Sequence, residues 1–126
     1  MPDPDLDGQR EVVAAFLAAA RDGDFARLVA VLDPEVVLRA DLGPPAGGSR
    51  EVRGAKAVAT QAVTYSRLGL ALQPALINGA AGWVATRDGQ PFSVVGVTVR
   101  DRRIVEIDIL ADPERLRELD LTVLRA

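Results

Sequence analysis

The chain has 126 residues, a formal net charge of −3 and 48% apolar residues, with no Cys and no His. That is enough chain for one domain with one core, without the basic footprint of a nucleic-acid binder. The missing residue types exclude disulfides, thiolate nucleophiles, zinc–sulfur sites, imidazole bases and Ser–His–Asp triads. Acid–base chemistry is left to Asp, Glu, Tyr, Lys or Arg.

Residues 1–8 (MPDPDLDG) hold two prolines and a run of acids without periodicity, and are expected to be a linker or frayed lead-in. They lack the character of a signal peptide. No apolar run approaches the ~20 residues of a membrane span, so a cytoplasmic protein making no membrane contact is expected. From Gln9 the pattern turns helical: Val12, Phe16 and Ala20 recur at every fourth position, with Val13 and Leu17 beside them. Gly23 suits the left-handed residue after a helix and Asp24 the N-cap of the next. Phe25, Leu28, Val29 and Leu32 form a second apolar stripe, which Asp33-Pro34 should end. Two antiparallel helices are expected.

A short strand is predicted over 36–41 and a Gly/Pro-rich loop over 42–53. A third helix is predicted over 54–67, with Ala55, Val58, Ala59, Ala62 and Tyr65 on or near one face. A meander should follow: 70–77, where Pro74 favours an edge or bulge, then 81–87, 90–100 and 103–110. Asn78-Gly79 and Asp88-Gly89 supply turns, and Asp112 should cap a short last helix with Pro113 at its first position. Helices followed by a meander mean an α+β fold. A cone-shaped barrel is expected, its curved antiparallel sheet wrapped around three helices with a pocket between them. The domain is expected over 9–119, with a tail over 120–126. Val95, Val97 and Val99 alternate with Val94 and Gly96, which leaves both strand faces apolar. A homodimer of the isolated domain is expected on that ground.

Glu106 and Asp108 share a parity with Ile104 and Leu110, whereas Ile107 and Ile109 lie on the other. If the Asp108 face points inward, burial should raise its pKa and make it a candidate base. The structural alternative, which is preferred, is a solvated face or a pair with an arginine such as Arg39. Asp41, Tyr65, Trp83 and Arg39 complete the candidate pocket lining. Each has an ordinary alternative: a turn cap for Asp41, core anchors for Tyr65 and Trp83, and a surface ion pair for Arg39. No phosphate loop, dinucleotide fingerprint or oxygen-ligand metal loop is present, so no cofactor and no metal is expected.

Arg10-Glu-Val-Val-Ala-Ala-Phe-Leu-Ala-Ala-Ala-Arg-Asp-Gly-Asp-Phe25 resembles the opening of a SnoaL-like domain of the nuclear transport factor 2-like superfamily. Four further segments resemble the C-terminal domain of SigJ-type extracytoplasmic-function sigma factors. They are Leu32-Asp-Pro-Glu-Val-Val-Leu-Arg-Ala-Asp41, Val52-Arg-Gly-Ala-Lys-Ala-Val-Ala59, Asn78-Gly-Ala-Ala-Gly82 and Asp112-Pro-Glu-Arg-Leu116. The resemblance runs from about Gln9 to Leu119. It implies a non-catalytic regulatory domain that binds a ligand or partner in transcription regulation, either excised from a sigma factor or free-standing. The implied partners are the sigma-factor helical domains or RNA polymerase, with a small apolar ligand as a further candidate. The family's Asn-Pro-Asp-Lys-Leu-like box falls on Asp112, Pro113, Glu114, Arg115 and Leu116, which become the implied interdomain contact. Its Asp-Gly-Gly-Gly-like box falls on Asp41-Leu-Gly43, with the first glycine lost. The related SnoaL-like enzymes imply an alternative: a cyclase or isomerase moving a proton next to a carbonyl, with Asp108 as base and Tyr65 or Trp83 as donor.

Overall fold

Apolar spacing and caps set the helices of the computed structural model, which describes residues 5–43, 48–77, 79–112, 116 and 121–123. Helix α1, Leu6–Asp22, buries Val12, Val13, Phe16, Leu17, Ala19 and Ala20 on one stripe. It starts three residues earlier than the sequence pattern suggests. Gly23 ends it at φ 65°, a conformation that costs glycine nothing. Asp24 then caps α2, Phe25–Val31, by accepting a hydrogen bond from the Arg27 amide at 3.2 Å, a cap worth ~1 kcal/mol. In α2 the expected stripe is narrower than its spacing implies: Leu28 is fully buried but Phe25 is exposed. Helix α3, Ala55–Ser66, buries Ala55, Val58 and Ala59.

The strands are β1 (Leu32–Asp41), β2 (Ser49–Arg53), β3 (Ala71–Ile77), β4 (Ala80–Arg87), β5 (Gln90–Arg100), β6 (Arg103–Leu110) and β7 (Leu121–Val123). They form one open sheet in the order β2-β1-β6-β5-β4-β3-β7. The architecture is the expected α+β cone, with three differences. The sheet is mixed rather than wholly antiparallel, because β1 pairs parallel with β6. The expected 42–53 loop contains β2, which pairs antiparallel with β1. Part of the expected tail is β7, which pairs with β3 at Ala75, Leu76 and Ile77. Among the described residues that pairing ends one residue short of Pro74, which has no N–H to donate to a ladder. Asn78 and Pro113, Glu114 and Arg115 lie outside the described residues.

Register shifts curve the sheet. One falls between Leu32 and Val37 on β1, one between Ala85 and Thr86 on β4, and one between Thr98 and Val99 on β5. The last leaves Val105 as the extra residue of β6, since Val99 pairs with Ile104 and Thr98 with Glu106. The bulge reverses the parity of the strand. Ile104 and Ile107 are both buried against the helices, three residues apart rather than two.

The inner sheet face packs on the helices. Val36, Leu38, Trp83, Val95, Val97, Val99, Ile104 and Ile107 join the α1 and α3 stripes in one core. Phe16 stacks on Trp83 with ring centroids 5.3 Å apart, a contact worth ~1 kcal/mol beyond its buried area. The outer face carries a smaller cluster of Ala75, Val84 and Val94, with Ile77 and Leu116 packed against it. Val95 and Val97 face the helices, and Val94 belongs to the cluster on which Leu116 packs.

Candidate functional site

Between the sheet and α1 and α3 lies a cavity of about 670 Å³, within the size range of small-molecule sites. Its walls are the apolar side chains that the helix and strand periods turn inward, among them Phe16, Leu17, Leu38, Val95 and Ile107. Tyr65 and Trp83 line it as expected. Tyr65 arrives there because it continues the face of α3 one turn beyond Gln61. Burial pushes the Tyr65 hydroxyl above its ordinary pKa, and the Arg50 guanidinium partly offsets that shift. At neutral pH the hydroxyl is a protonated donor.

The structure divides the residues that the sequence groups into one pocket. Arg39, Asp41 and Asp108 do not line the cavity; they border a shallower depression on the opposite face of the sheet. Arg39 and Asp41 lie on β1, where Leu38 and Ala40 take the inner face; for Asp108 the bulge at Val105 is the reason. Beyond it Ile107 and Ile109 point inward, and Glu106, Asp108 and Leu110 point outward. Asp108 is exposed, opposite Arg39 on β1 and Gly96 on β5. Its carboxyl is pushed above the ordinary aspartate range, first by partial burial and second by Glu106, while Arg39 pulls it back. Arg39 itself sits 3.5 Å from Glu51 and 3.7 Å from Glu106, and Glu51 continues the chain to Arg53 at 2.9 Å. Such exposed pairs contribute little stability, but they occupy Arg39 as a surface residue.

Asp41 accepts a hydrogen bond from the Gly43 amide at 3.1 Å, which is the turn-capping role. The parallel pairing of β1 with β6 brings the ends of both strands together. The Ala111 amide donates to the Asp41 carbonyl at 2.8 Å. Gly43, at φ 79°, lies under Asp112: a Cβ there would come 3.0 Å from the Asp112 carboxyl carbon. Asp112 then accepts, through its carbonyl, the Leu116 amide at 3.0 Å. Asp41, Gly43 and Asp112 therefore form one clasp, and Leu116 carries it to the outer apolar cluster.

Five polar lining residues were not singled out from the sequence: Arg21, Arg50, Gln61, Ser66 and Ser93. Arg21 had a readable signal, because it lies four residues after Leu17 on the buried stripe of α1. Arg50 had none, since its strand reads as loop. Because β2 is an edge strand, Arg50 borders both the cavity and the outer depression. Ser93 is 1% exposed and its hydroxyl has no hydrogen-bond partner. No Asp or Glu lines the cavity among the described residues, and among them no acidic cluster suited to a metal occurs.

This arrangement of three helices on one curved sheet recurs in solved structures. A SigJ extracytoplasmic-function sigma factor from Mycobacterium tuberculosis matches over 90% of this chain at 28% identity and a TM-score of 0.72. The match takes in 44% of the sigma factor, so the present chain spans less than half of that protein. An NTF2-like protein of unknown function from Mesorhizobium loti matches over 89% of this chain and 97% of its own, at 19% identity and a TM-score of 0.63. The fold is nuclear transport factor 2-like. A putative isomerase from Bacillus subtilis shares it over 89% of this chain and 91% of its own, at 17% identity and a TM-score of 0.58. No family model and no curated protein sequence matches the chain. No helix among the described residues is long and apolar enough to cross a membrane.

Proposed function

We propose that this NTF2-like domain is a non-catalytic regulatory module that binds a small ligand in its cavity and acts on transcription through a sigma factor. The observation that carries the reading is the cavity: its described lining is mostly apolar, with polar side chains that can donate hydrogen bonds but no carboxylate. The likeness to the M. tuberculosis sigma factor supports the transcriptional context. The family resemblance adds the Asp112 to Leu116 box as the contact with the sigma helical domains or the polymerase. Cavity and box are near neighbours along the chain. Leu42 and Ile109 line the cavity and stand one and three residues before Gly43 and Asp112. A ligand that displaced those two side chains would bear directly on the clasp, which is the kind of discrete element that coupling requires.

The test is transcription by RNA polymerase carrying the sigma helical domains joined to this domain. The parent is compared with Asp112→Ala and Leu116→Ala. The reading expects transcription to change with either substitution; equal transcription from all three proteins overturns it. The isomerase neighbour favours a second reading, proton transfer next to a carbonyl. That chemistry needs a base at the substrate. Asp108 lies across the sheet from the cavity, and Tyr65 is shifted away from the ionised form a base would require.

A further inference from the structure

The charges around the cavity are one-sided. Arg21 and Arg50 border it, and neither has an ion-pair partner among the described residues. Elsewhere on the molecule Arg27, Arg39, Arg53 and Arg102 each stand within 4.0 Å of a carboxylate, while Arg10, Arg67 and Arg103 do not among the described residues, so what sets Arg21 and Arg50 apart is their place at the cavity. Edge strand β2 separates its two arginines by face. Arg53 points outward to Glu51, whereas Arg50 borders the cavity and is close enough to Tyr65 to stabilise its ionised form. Tyr65 adds a neutral hydroxyl donor at the same place. The depths of the cavity are apolar, walled by Phe16, Trp83 and aliphatic side chains. A guanidinium and a phenol at the rim of an apolar chamber match an anionic head on an apolar body.

We infer that the cavity binds a small amphipathic organic anion, its apolar body among Phe16, Trp83 and Leu38 and its carboxylate or phosphate head held by Arg50 and Tyr65, with Arg21 adding positive charge. The inference rests on the reading of this domain as a ligand-binding module, and supplies the chemical class of the ligand. A neutral apolar molecule of the same size would fill the chamber but leave the guanidinium unmatched.

The test uses three ten-carbon probes on the intact chain below their micellar concentrations: decanoate, decyl phosphate and decanol. Trp83 is the only tryptophan and lines the cavity, so its emission reports occupancy, and calorimetry gives the affinities. The charge-assisted contact should make decanoate or decyl phosphate bind about tenfold tighter than decanol. Whichever anion is tighter identifies the head. Arg50→Ala should collapse that ratio and Arg50→Lys should retain part of it. Arg53→Ala, on the same strand but the other face, should leave it unchanged, which separates a local contact from net charge. Added salt should weaken the anions and spare decanol. Decanol binding as tightly as both anions overturns the inference, as does a ratio that survives Arg50→Ala or a Trp83 emission that none of the probes alters. These failures are distinct from failure of the regulatory reading, in which probes bind as expected but leave sigma-dependent transcription unchanged.

Discussion

Ser93 offers a sharp energetic test of the cavity wall. Its hydroxyl is buried, lies on β5 opposite Ala85, and accepts and donates nothing. A hydroxyl taken from water without a replacement partner costs ~1–3 kcal/mol. Ser93→Ala removes that cost and deletes one oxygen from the wall, a void too small to hold water. Allowing for the lost packing contacts of that oxygen, the variant should be about 1 kcal/mol more stable than the parent. The effect can be put on a temperature scale. At ~2.1 cal/mol/K per residue, a chain of this length unfolds with an entropy of roughly 0.26 kcal/mol/K, so the gain corresponds to about 4 °C in Tm. Urea unfolding followed by far-UV circular dichroism should show a higher midpoint with an unchanged slope. Ser93→Thr keeps the orphan oxygen and should show no comparable gain. A loss of 1 kcal/mol or more in Ser93→Ala would refute the argument, because it would mean that the hydroxyl has a partner in solution.

Gly82 and Gly96 face each other across β4 and β5 but tolerate a side chain differently. An added Cβ at Gly82 would overlap the Val95 carbonyl oxygen, whereas one at Gly96 meets open space. In denaturant titrations Gly82→Ala should lose at least ~3 kcal/mol and Gly96→Ala should stay within ~0.5 kcal/mol of the parent. Asp108 has a folded-state pKa raised above its unfolded value, so the fold binds the extra proton and this group's contribution to stability falls as pH rises through that window. Asp108→Asn should therefore be at least as stable as the parent at pH 7, with the difference vanishing below about pH 3.9; a variant clearly less stable at pH 7 than at pH 3.5, relative to the parent, contradicts the sign. Leu116 packs on Ala75, Val84 and Val94, so Leu116→Ala should cost ~1–2 kcal/mol and raise self-association at tens of micromolar by light scattering. A strictly monomeric variant of parental stability would show that Leu116 does not protect this face.

Elements whose signals are local were legible in the sequence. The α1 stripe, the Gly23–Asp24 joint and the face of α3 follow from spacing and caps alone. The Asp88-Gly89 turn does too, with φ of 53° and 80° at its two residues. What was not legible depends on partners distant in sequence. Residues 49–53 alternate well enough for a strand, but the glycines and prolines before them dominate a local reading. Only pairing with β1 makes them β2. The parallel β1–β6 contact joins segments some seventy residues apart, and no local pattern announces it. The same holds for β7, whose three residues are a strand because β3 has an open edge there. At the candidate site the sequence picked Tyr65 and Trp83, which do line the cavity, because rare aromatics on an inward face are few. Asp108 joined them on the condition that an unbroken strand period turned its face inward, and Arg39 and Asp41 joined them as charged groups near the end of β1, without an argument about which face they take.

That assumption locates the difference between a catalytic and a recognising chamber in this fold. A strand with period two assigns every side chain to a face, and one extra residue reassigns all that follow. In β6 the extra residue is Val105. Without it Asp108 would share a face with Ile104 and enter a cavity lined by Phe16 and Trp83. Burial there would hold its proton strongly, as apolar pockets do for carboxyl groups, and a base poised near neutrality would become available. With the bulge in place Glu106 pairs with Arg39 and Asp108 lies beside them on the outer face, and no described carboxylate lines the inner chamber. Arg50 escapes the same sorting because it sits on the edge strand, where a long side chain borders both faces. The cavity thus has positive charge at its border and no described carboxylate in its wall, an arrangement suited to holding an anion rather than to abstracting a proton.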